Sequence, residues 1–149
     1  IWLEISKLDF RMEVYHVTLT SSMEDYLEAV LMVQQKHGCA HCVDISNHLN
    51  VTLPSVSRAV KELSKMGCLI KEADGTLSLT ETGYRIASLV YEKHQFFTMQ
   101  LIEAGVPEDI AAQDACRLEH VISETSYRKL KEAAVGKDQE VILSDESSS

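Results

Sequence analysis

The sequence lacks any run of about 18 consecutive apolar residues, the length that a helix needs to cross a bilayer. It has no recognisable secretory signal either, because the short first stretch, residues 1–10, carries the charged side chains Glu4 and Asp9. Enzyme motifs such as G-x-S-x-G and HExxH are also missing. These absences predict a cytoplasmic protein that is not an enzyme.

Basic residues are scarce, because 14 Lys and Arg stand against 23 Asp and Glu, and the formal net charge is −9. This balance argues against a protein that coats nucleic acid through bulk charge. It leaves room for a specific DNA reader with a local basic face, and the many carboxylates suit a cation. With 45% apolar residues, the chain can form a globular core.

The first clear helix signal follows residues 1–20, an N-terminal extension to which we assign no function. Ser21 and Glu24, three residues apart, are typical of a capping box that opens a helix. The apolar residues that follow have helical spacing, and Gly38 is a typical helix end. We therefore predict one amphipathic helix between Ser21 and Gly38.

Two short helices and a hairpin follow this first helix. The pattern predicts a helix over residues 43–50, a tight turn, and a second helix that begins after Thr52 as its N-cap. Asp74-Gly75 then separates two strand-like runs, which is a strong hairpin signal. This order of elements predicts a winged helix-turn-helix, and hence a DNA-binding domain, over residues 21–80.

In the second half of the chain, the sequence pattern predicts helices and no strands. A long helix is expected over residues 81–104, another after Pro107, and a third over residues 124–134. The Ser-rich, acidic residues 135–149 predict a disordered tail. The expected fold class is therefore mainly α, with an N-terminal winged helix-turn-helix and an all-helical C-terminal domain over residues 81–134.

The second helix of a helix-turn-helix enters the major groove, where its N-terminal residues reach the base edges. Residues 54–66 contain three basic side chains and one acidic side chain, so their net charge of +2 is a local feature of an acidic chain. Arginine suits guanine or phosphate, and hydroxyl groups suit phosphates or bases. The predicted DNA-binding residues are Pro54, Ser55, Ser57, Arg58 and Lys61. The alternative is an ordinary solvated helix face.

Three potential metal ligands share one face of the helix that follows Pro107. They are Cys116, Glu119 and His120. A thiolate, a carboxylate and an imidazole in this arrangement can chelate a divalent transition metal. His94 on the preceding helix, and Asp25 with Glu28 on the first helix, offer further ligands. Each residue also has a structural interpretation, as a helix cap, a surface charge, a core histidine or a small buried thiol.

Cys39 and Cys42 form a CxxC pair, which is typical of half a zinc site or of a redox pair. A second CxxC is missing, and in a chain without an export signal we expect reduced thiols. The alternative function is therefore a metal-independent winged-helix regulator that senses a small molecule, or senses thiol oxidation through Cys39 and Cys42.

Five segments of the sequence are specific enough to compare with a known family. They are SMEDYLE at 22–28, PSVSR at 54–58, LTETG at 79–83, Lys93-His94, and ACRLEHVIS at 115–123. Together they resemble the diphtheria toxin repressor family, which includes iron-dependent repressors and manganese transport regulators. The resemblance spans about residues 21–133.

This resemblance implies a homodimer in which the all-helical domain serves dimerisation and metal binding. It implies Mn(II) or Fe(II) as cofactor and double-stranded operator DNA as partner, with metal favouring the form that represses metal-uptake genes. The architecture is expected to be that of the manganese-type members.

The resemblance also implies a ligand set. In manganese-type members the ligands fall on the positions of Asp25, Glu28, His94, Cys116, Glu119 and His120. Cys116 departs from that set, because manganese regulators carry Glu there and iron-type members carry Cys. The departure leaves the choice between manganese and iron open. It also puts a second metal ion in doubt, because a bridging carboxylate is lost.

Overall fold

A computed structural model describes residues 19–146, with side chains as far as residue 138. Most of the predicted N-terminal extension, residues 1–18, lies outside this range. Within it, six helices and one two-stranded antiparallel sheet follow in the order α1 (Ser21–His37), α2 (Cys42–Leu49), α3 (Leu53–Lys65), β1 (Leu69–Lys71), β2 (Leu77–Leu79), α4 (Glu81–Glu103), α5 (Glu108–Val121) and α6 (Glu124–Glu146). The predicted fold class is confirmed. Among the described helices, none combines the length and apolar character that a membrane span requires.

The N-cap of α1 is Thr20 and not Ser21. The Thr20 hydroxyl accepts a hydrogen bond from the Met23 amide at 3.3 Å. The predicted capping box of Ser21 and Glu24 is therefore wrong, because the helix begins one residue earlier than that box requires. The helix ends as predicted at Gly38, which adopts a left-handed conformation with φ 83°.

The helix-turn-helix forms as predicted. Asn50 closes α2 in a left-handed conformation, and the Thr52 hydroxyl caps α3 by accepting from the Ser55 amide at 3.4 Å. Val56 and Leu63 of α3 are fully buried, so the opposite face of this helix is turned to solvent. That exposed face is the one predicted to meet DNA.

The wing is a short hairpin in which Leu69 pairs with Leu79 and Lys71 pairs with Leu77. Its strands have three residues each, and the turn around Asp74-Gly75 is longer than predicted. The Leu77 amide donates to the Ala40 carbonyl at 2.8 Å, and the Gln34 side chain donates to the Leu77 carbonyl at 2.9 Å. These bonds attach the wing to α1 and to the segment before α2.

The helix α4 joins the two halves of the molecule. Ala87, near its start, belongs to the N-terminal core with Leu27 and Leu69, whereas Phe96 and Phe97 belong to a second core with α5 and α6. Because α1 and α5 both pack against α4, the N-terminal and C-terminal helices meet along its middle. The domain border at residues 80 and 81 stays a prediction.

The helix α6 is longer than predicted. It begins at Glu124, as expected, but continues past Ala134 to Glu146. Residues 135–146 are therefore helical, and their prediction as a disordered tail is wrong. That prediction rests on composition, whereas the alanines and charged residues after Tyr127 are themselves compatible with a helix.

Candidate metal centre

The six predicted ligands lie on three helices that meet at the junction of the two halves. Asp25 and Glu28 come from α1, His94 comes from the middle of α4, and the remaining three come from α5. Within the part of the chain whose side chains are described, five of the six form two groups of potential metal ligands, and Glu119 belongs to both. The first group is His94, Cys116 and Glu119, and the second is Asp25, Glu119 and His120. Glu28 is the one predicted ligand that belongs to neither group. In each group, the donor atoms lie within 4.8 Å of one another.

Glu119 is the member shared by both groups. Its side chain is only 2% exposed, and each of its carboxylate oxygens faces a different histidine. Oε2 lies 3.0 Å from His94 Nδ1, and Oε1 lies 3.3 Å from His120 Nε2. A buried carboxylate must be paired or neutralised, so Glu119 is the natural centre of a site for cations.

The first group is completed by Cys116. Its sulfur lies 3.6 Å from His94 Nδ1, the same nitrogen that faces Glu119. Because Cys116 is exposed, this side of the site faces solvent. The group therefore offers one imidazole, one carboxylate and one thiol, a set that suits first-row transition metals.

The second group is completed by Asp25 and His120. The distance between His120 Nε2 and Asp25 Oδ1 is 2.7 Å, and the histidine side chain is only 9% exposed. Asp25 belongs to the helix-turn-helix half and His120 to the all-helical half. This contact therefore crosses the junction between them.

The electrostatics of the junction favour a cation. Burial, followed by the charge of Glu119, raises the pKa of Glu28 to about 7. Although Cys116 is exposed as a residue, its sulfur is partly desolvated, and this desolvation, followed by the charge of Glu119, raises the pKa of the thiol to about 11. The hydrogen bond with Glu119 raises the pKa of His94. Each shift means that the site resists further negative charge and retains positive charge.

Glu24 was not predicted to take part in this site. Its Oε2 lies 2.7 Å from His120 Nδ1, the ring nitrogen that faces away from Asp25. Burial disfavours the charged form of His120, but the contacts with Glu24 and Asp25 outweigh it, and the pKa of His120 is raised. The sequence does carry a signal, since Glu24 precedes Asp25 on the same helix, but its spacing from Ser21 favours a capping role instead.

The donor separations fit a bound metal ion. Two ligand atoms at about 2.1 Å from one ion, at roughly right angles, are about 3 Å apart. The separations within the two groups that involve a histidine nitrogen range from 2.7 Å to 3.6 Å. Carboxylate and imidazole donors at this spacing suit Mn(II) and Fe(II).

The predicted DNA-binding residues lie at the start of α3. Pro54, Ser57, Arg58 and Lys61 are exposed. Ser55 is half-buried, and its hydroxyl is 2.8 Å from that of Thr52. Two further lysines, Lys65 of α3 and Lys71 of the wing, line one shallow groove with Lys61. Because only exposed side chains can reach a duplex, Ser55 is the least accessible of the five.

The CxxC pair lies apart from the junction, on either side of the start of α2. Cys39 is exposed and Cys42 is half-buried, and both are free thiols. Neither belongs to a group with metal-ligand spacing among the described side chains.

Two family models match consecutive parts of the chain. The "iron dependent repressor, N-terminal DNA binding domain" matches residues 18–77, and the "iron dependent repressor, metal binding and dimerisation domain" matches residues 80–134. The chain belongs to the iron-dependent repressor family. This confirms the resemblance inferred from the sequence motifs.

Two curated transcriptional regulators are similar to this chain over most of their own length. An uncharacterised HTH-type transcriptional regulator of Methanocaldococcus jannaschii is 30% identical over 115 residues, which are 76% of this chain and 92% of that protein. The regulator MntR of Bacillus subtilis is 33% identical over 111 residues, 74% of this chain and 78% of MntR.

Solved structures of the family have the same fold. The IdeR structure from T. acidophilum matches with a TM-score of 0.66 and 28% identity, over 80% of this chain and 55% of IdeR. The manganese regulator SloR matches with a TM-score of 0.69 and 26% identity, over 78% of this chain and 54% of SloR. The chain thus spans about half the length of these two structures.

Membership of the iron-dependent repressor family establishes the class of function. The chain is a metal-dependent, DNA-binding transcriptional regulator, and its relatives are regulators and not enzymes. Operator DNA and a second copy of the chain are the partners that fit the two matched domains. The metal-independent alternative, with sensing through Cys39 and Cys42, finds no support.

Proposed function

We propose that this chain is a cytoplasmic repressor of metal-uptake genes that responds to Mn(II) or Fe(II). Its ligands would be Asp25, Glu28, His94, Cys116, Glu119 and His120. The observation that carries the proposal is that the buried Glu119 faces His94 with one oxygen and His120 with the other, while His120 also contacts Asp25 of the DNA-binding half.

The carboxylates explain why a cation would change the behaviour of the chain. Asp25 and Glu28 of α1 face Glu119 of α5, and the charge of Glu119 is one cause of the raised pKa of Glu28. Repulsion between these acids weakens the attachment of α1 to α5. A bound divalent cation supplies the positive charge that offsets this repulsion.

Attachment of α1 sets the direction of the DNA-binding helix. The helices α1 and α3 contribute Leu27 and Val56 to the same core, so a fixed α1 also fixes α3. In a dimer, both copies of α3 must meet major grooves about one helical turn apart. Metal can favour this arrangement only to the extent that it binds this form of the dimer more tightly than the other forms.

The donor set supports both proposed metals. Carboxylates and imidazoles suit Mn(II) and Fe(II), whereas the Cys116 thiol favours Fe(II) over Mn(II). Two ions could share Glu119, one in the group of Asp25 and one in the group of Cys116. Binding of metal in the Cys116 group would release the thiol proton, so the affinity of that group for metal should rise with pH.

The experiment that tests the function is operator binding at controlled metal levels. A labelled duplex selected for binding to the full chain is titrated by fluorescence anisotropy with Mn(II), with Fe(II) under anaerobic conditions, and with chelator. We expect binding with either metal and loss of binding with chelator. Equal binding in chelator would contradict the proposal, and binding that changes only with oxidant would favour the thiol alternative.

Arg58→Ala tests the proposed DNA-binding face. We expect the Kd for operator to rise about 10-fold or more, because a bidentate arginine contact is worth about 1–3 kcal/mol. The Kd for Mn(II) should not change, since Arg58 lies on α3 away from the six ligands. The matched control is Arg128→Ala, an exposed arginine on α6. An equal effect of both variants on operator binding would show that general charge, and not the α3 face, is responsible.

The stability of the metal-free chain should fall as pH rises from about 5 to 8. Glu28 has a folded pKa of about 7 against an ordinary value of 4.5, so its contribution is present below pH 4.5 and lost by pH 7. His94 and His120 also have raised pKa values, and their contributions are lost as pH rises above about 6.5. Glu28 alone accounts for a loss on the order of 2 kcal/mol, after allowance for solvent screening of its partly exposed side chain.

Thermal unfolding in chelator at pH 5.5 and pH 8 measures this loss. With saturating Mn(II) the trend should reverse, because metal binds the deprotonated ligands. A melting temperature that rises with pH in chelator would contradict the assigned electrostatics.

A further inference from the structure

Both ring nitrogens of His120 contact carboxylates from the same helix. Nδ1 lies 2.7 Å from Glu24 Oε2, and Nε2 lies 2.7 Å from Asp25 Oδ1. The ring is 9% exposed, so water has little access to either nitrogen. The orientation of this imidazole is therefore set by two neighbouring residues of α1.

The two contacts have different consequences, because Asp25 belongs to a group with metal-ligand spacing and Glu24 does not. A histidine that binds a metal through one nitrogen usually donates its other N–H to a carboxylate or a carbonyl, which fixes the tautomer and the ring orientation. Glu24 has the position and the chemistry of such a partner.

The local structure of α1 leaves the Glu24 side chain available for this contact. Thr20 is the N-cap, so the third helical residue is Met23, and its amide donates the capping hydrogen bond to the Thr20 hydroxyl. A carboxylate at the third position could return to the cap, but Glu24 is at the fourth position. Its side chain instead reaches across to α5, 96 residues further along the chain.

We propose that Glu24 is a positioning residue that holds His120 with its proton on Nδ1, so that Nε2 faces Asp25 and Glu119 as the metal-binding atom. Glu24 acts through His120 and is not itself a ligand. This inference rests on the proposed metal site. It assigns to the DNA-binding half a third acidic residue, which attaches α1 to α5 through a hydrogen bond and not through metal.

Two variants separate positioning from ligation. Glu24→Ala removes the acceptor, and we expect the Kd for Mn(II) to rise about 10-fold to 100-fold, as is typical when such a partner is lost. Glu24→Gln keeps an oxygen that can accept from Nδ1, and we expect a change of less than about 3-fold. Glu103→Ala, an exposed acid at the end of α4, is the control for lost charge. Circular dichroism checks that α1 remains folded.

The tautomer of His120 is the second measurement. If Glu24 only stabilised the fold, its substitution would leave this tautomer unchanged. Full-length chain labelled with nitrogen-15 is loaded with Zn(II), a diamagnetic probe, and its imidazole signals are assigned by comparison with His120→Gln. In the wild-type chain and in Glu24→Gln we expect a protonated Nδ1 and a metal-bound Nε2. In Glu24→Ala we expect His120 no longer to have one fixed tautomer, so its signals should not show a single form with a protonated Nδ1 and a metal-bound Nε2.

The outcomes distinguish this inference from the proposed function. If the wild-type chain takes up no Mn(II), the metal site itself fails. If it binds Mn(II) but Glu24→Ala keeps both the affinity and the tautomer, the positioning role is overturned. If Glu24→Gln loses as much affinity as Glu24→Ala and fewer ions bind per chain, Glu24 is a ligand, which also overturns the inference.

Discussion

Glu119→Gln is expected to abolish metal-dependent operator binding while the chain remains folded. The substitution keeps the size of the side chain but removes the charge shared by both ligand groups. The Kd for Mn(II) should therefore rise by at least about 100-fold, beyond the 10-fold to 100-fold that is typical for loss of an outer partner. Anaerobic calorimetry measures the affinity, and fluorescence anisotropy measures operator binding with and without Mn(II).

The matched control for this prediction is Glu108→Gln, an exposed acid in the first turn of α5. It should change neither the affinity for Mn(II) nor the affinity for operator by more than about 2-fold, because an exposed surface charge contributes little to either interaction. His94→Ala should lose the metal response as well, since its Nδ1 faces both Glu119 and Cys116. Variants that still bind operator only when Mn(II) is present would show that the ligand set is wrong.

Gly83→Ala is expected to have the largest effect on stability of the substitutions considered. A Cβ at this position would lie 1.9 Å from the Cys68 carbonyl oxygen and 2.9 Å from the carbonyl carbon. Both atoms belong to the backbone just before β1, so neither can turn aside as a side chain would. Overpacking of this kind costs about 3 kcal/mol or more.

Thermal unfolding followed by circular dichroism measures this cost. A loss of about 3 kcal/mol lowers the melting temperature by roughly 6–12 °C in a chain of this size. Gly136→Ala in α6 is the control, because a Cβ at Gly136 would meet no atom within 4 Å, and this variant should gain a few tenths to about 1 kcal/mol. Equal melting temperatures for Gly83→Ala and the wild-type chain would mean that α4 does not pack this closely on the wing.

Local signals in the sequence predict the ends of helices well where a single residue determines where the helix begins or ends. Thr52 caps α3 and Gly38 ends α1 as expected, because capping depends on a single side chain or a single left-handed residue. The predicted start of α1 is wrong because Thr20, Ser21 and Ser22 can all cap a helix. Because the three residues are neighbours with similar side chains, the local sequence does not decide which of them is the cap.

The candidate ligands can be named from the sequence, but their arrangement cannot. The spacing of Cys116, Glu119 and His120 on one helix face is a local property. The position of Glu119 between His94 and His120 depends on how α4 packs against α5. The contact between Glu24 and His120 depends on packing across 96 residues, so the sequence alone favours the local capping interpretation.

The central claim is that metal joins α1 of the DNA-binding half to α4 and α5 of the dimerisation half. Anomalous scattering at the manganese edge, from crystals of the full chain grown with Mn(II), tests it most directly. We predict a peak between the two halves, within bonding distance of Glu119 and of at least one carboxylate of α1. A peak bound by residues of one half alone, or by Cys39 and Cys42, would contradict the claim.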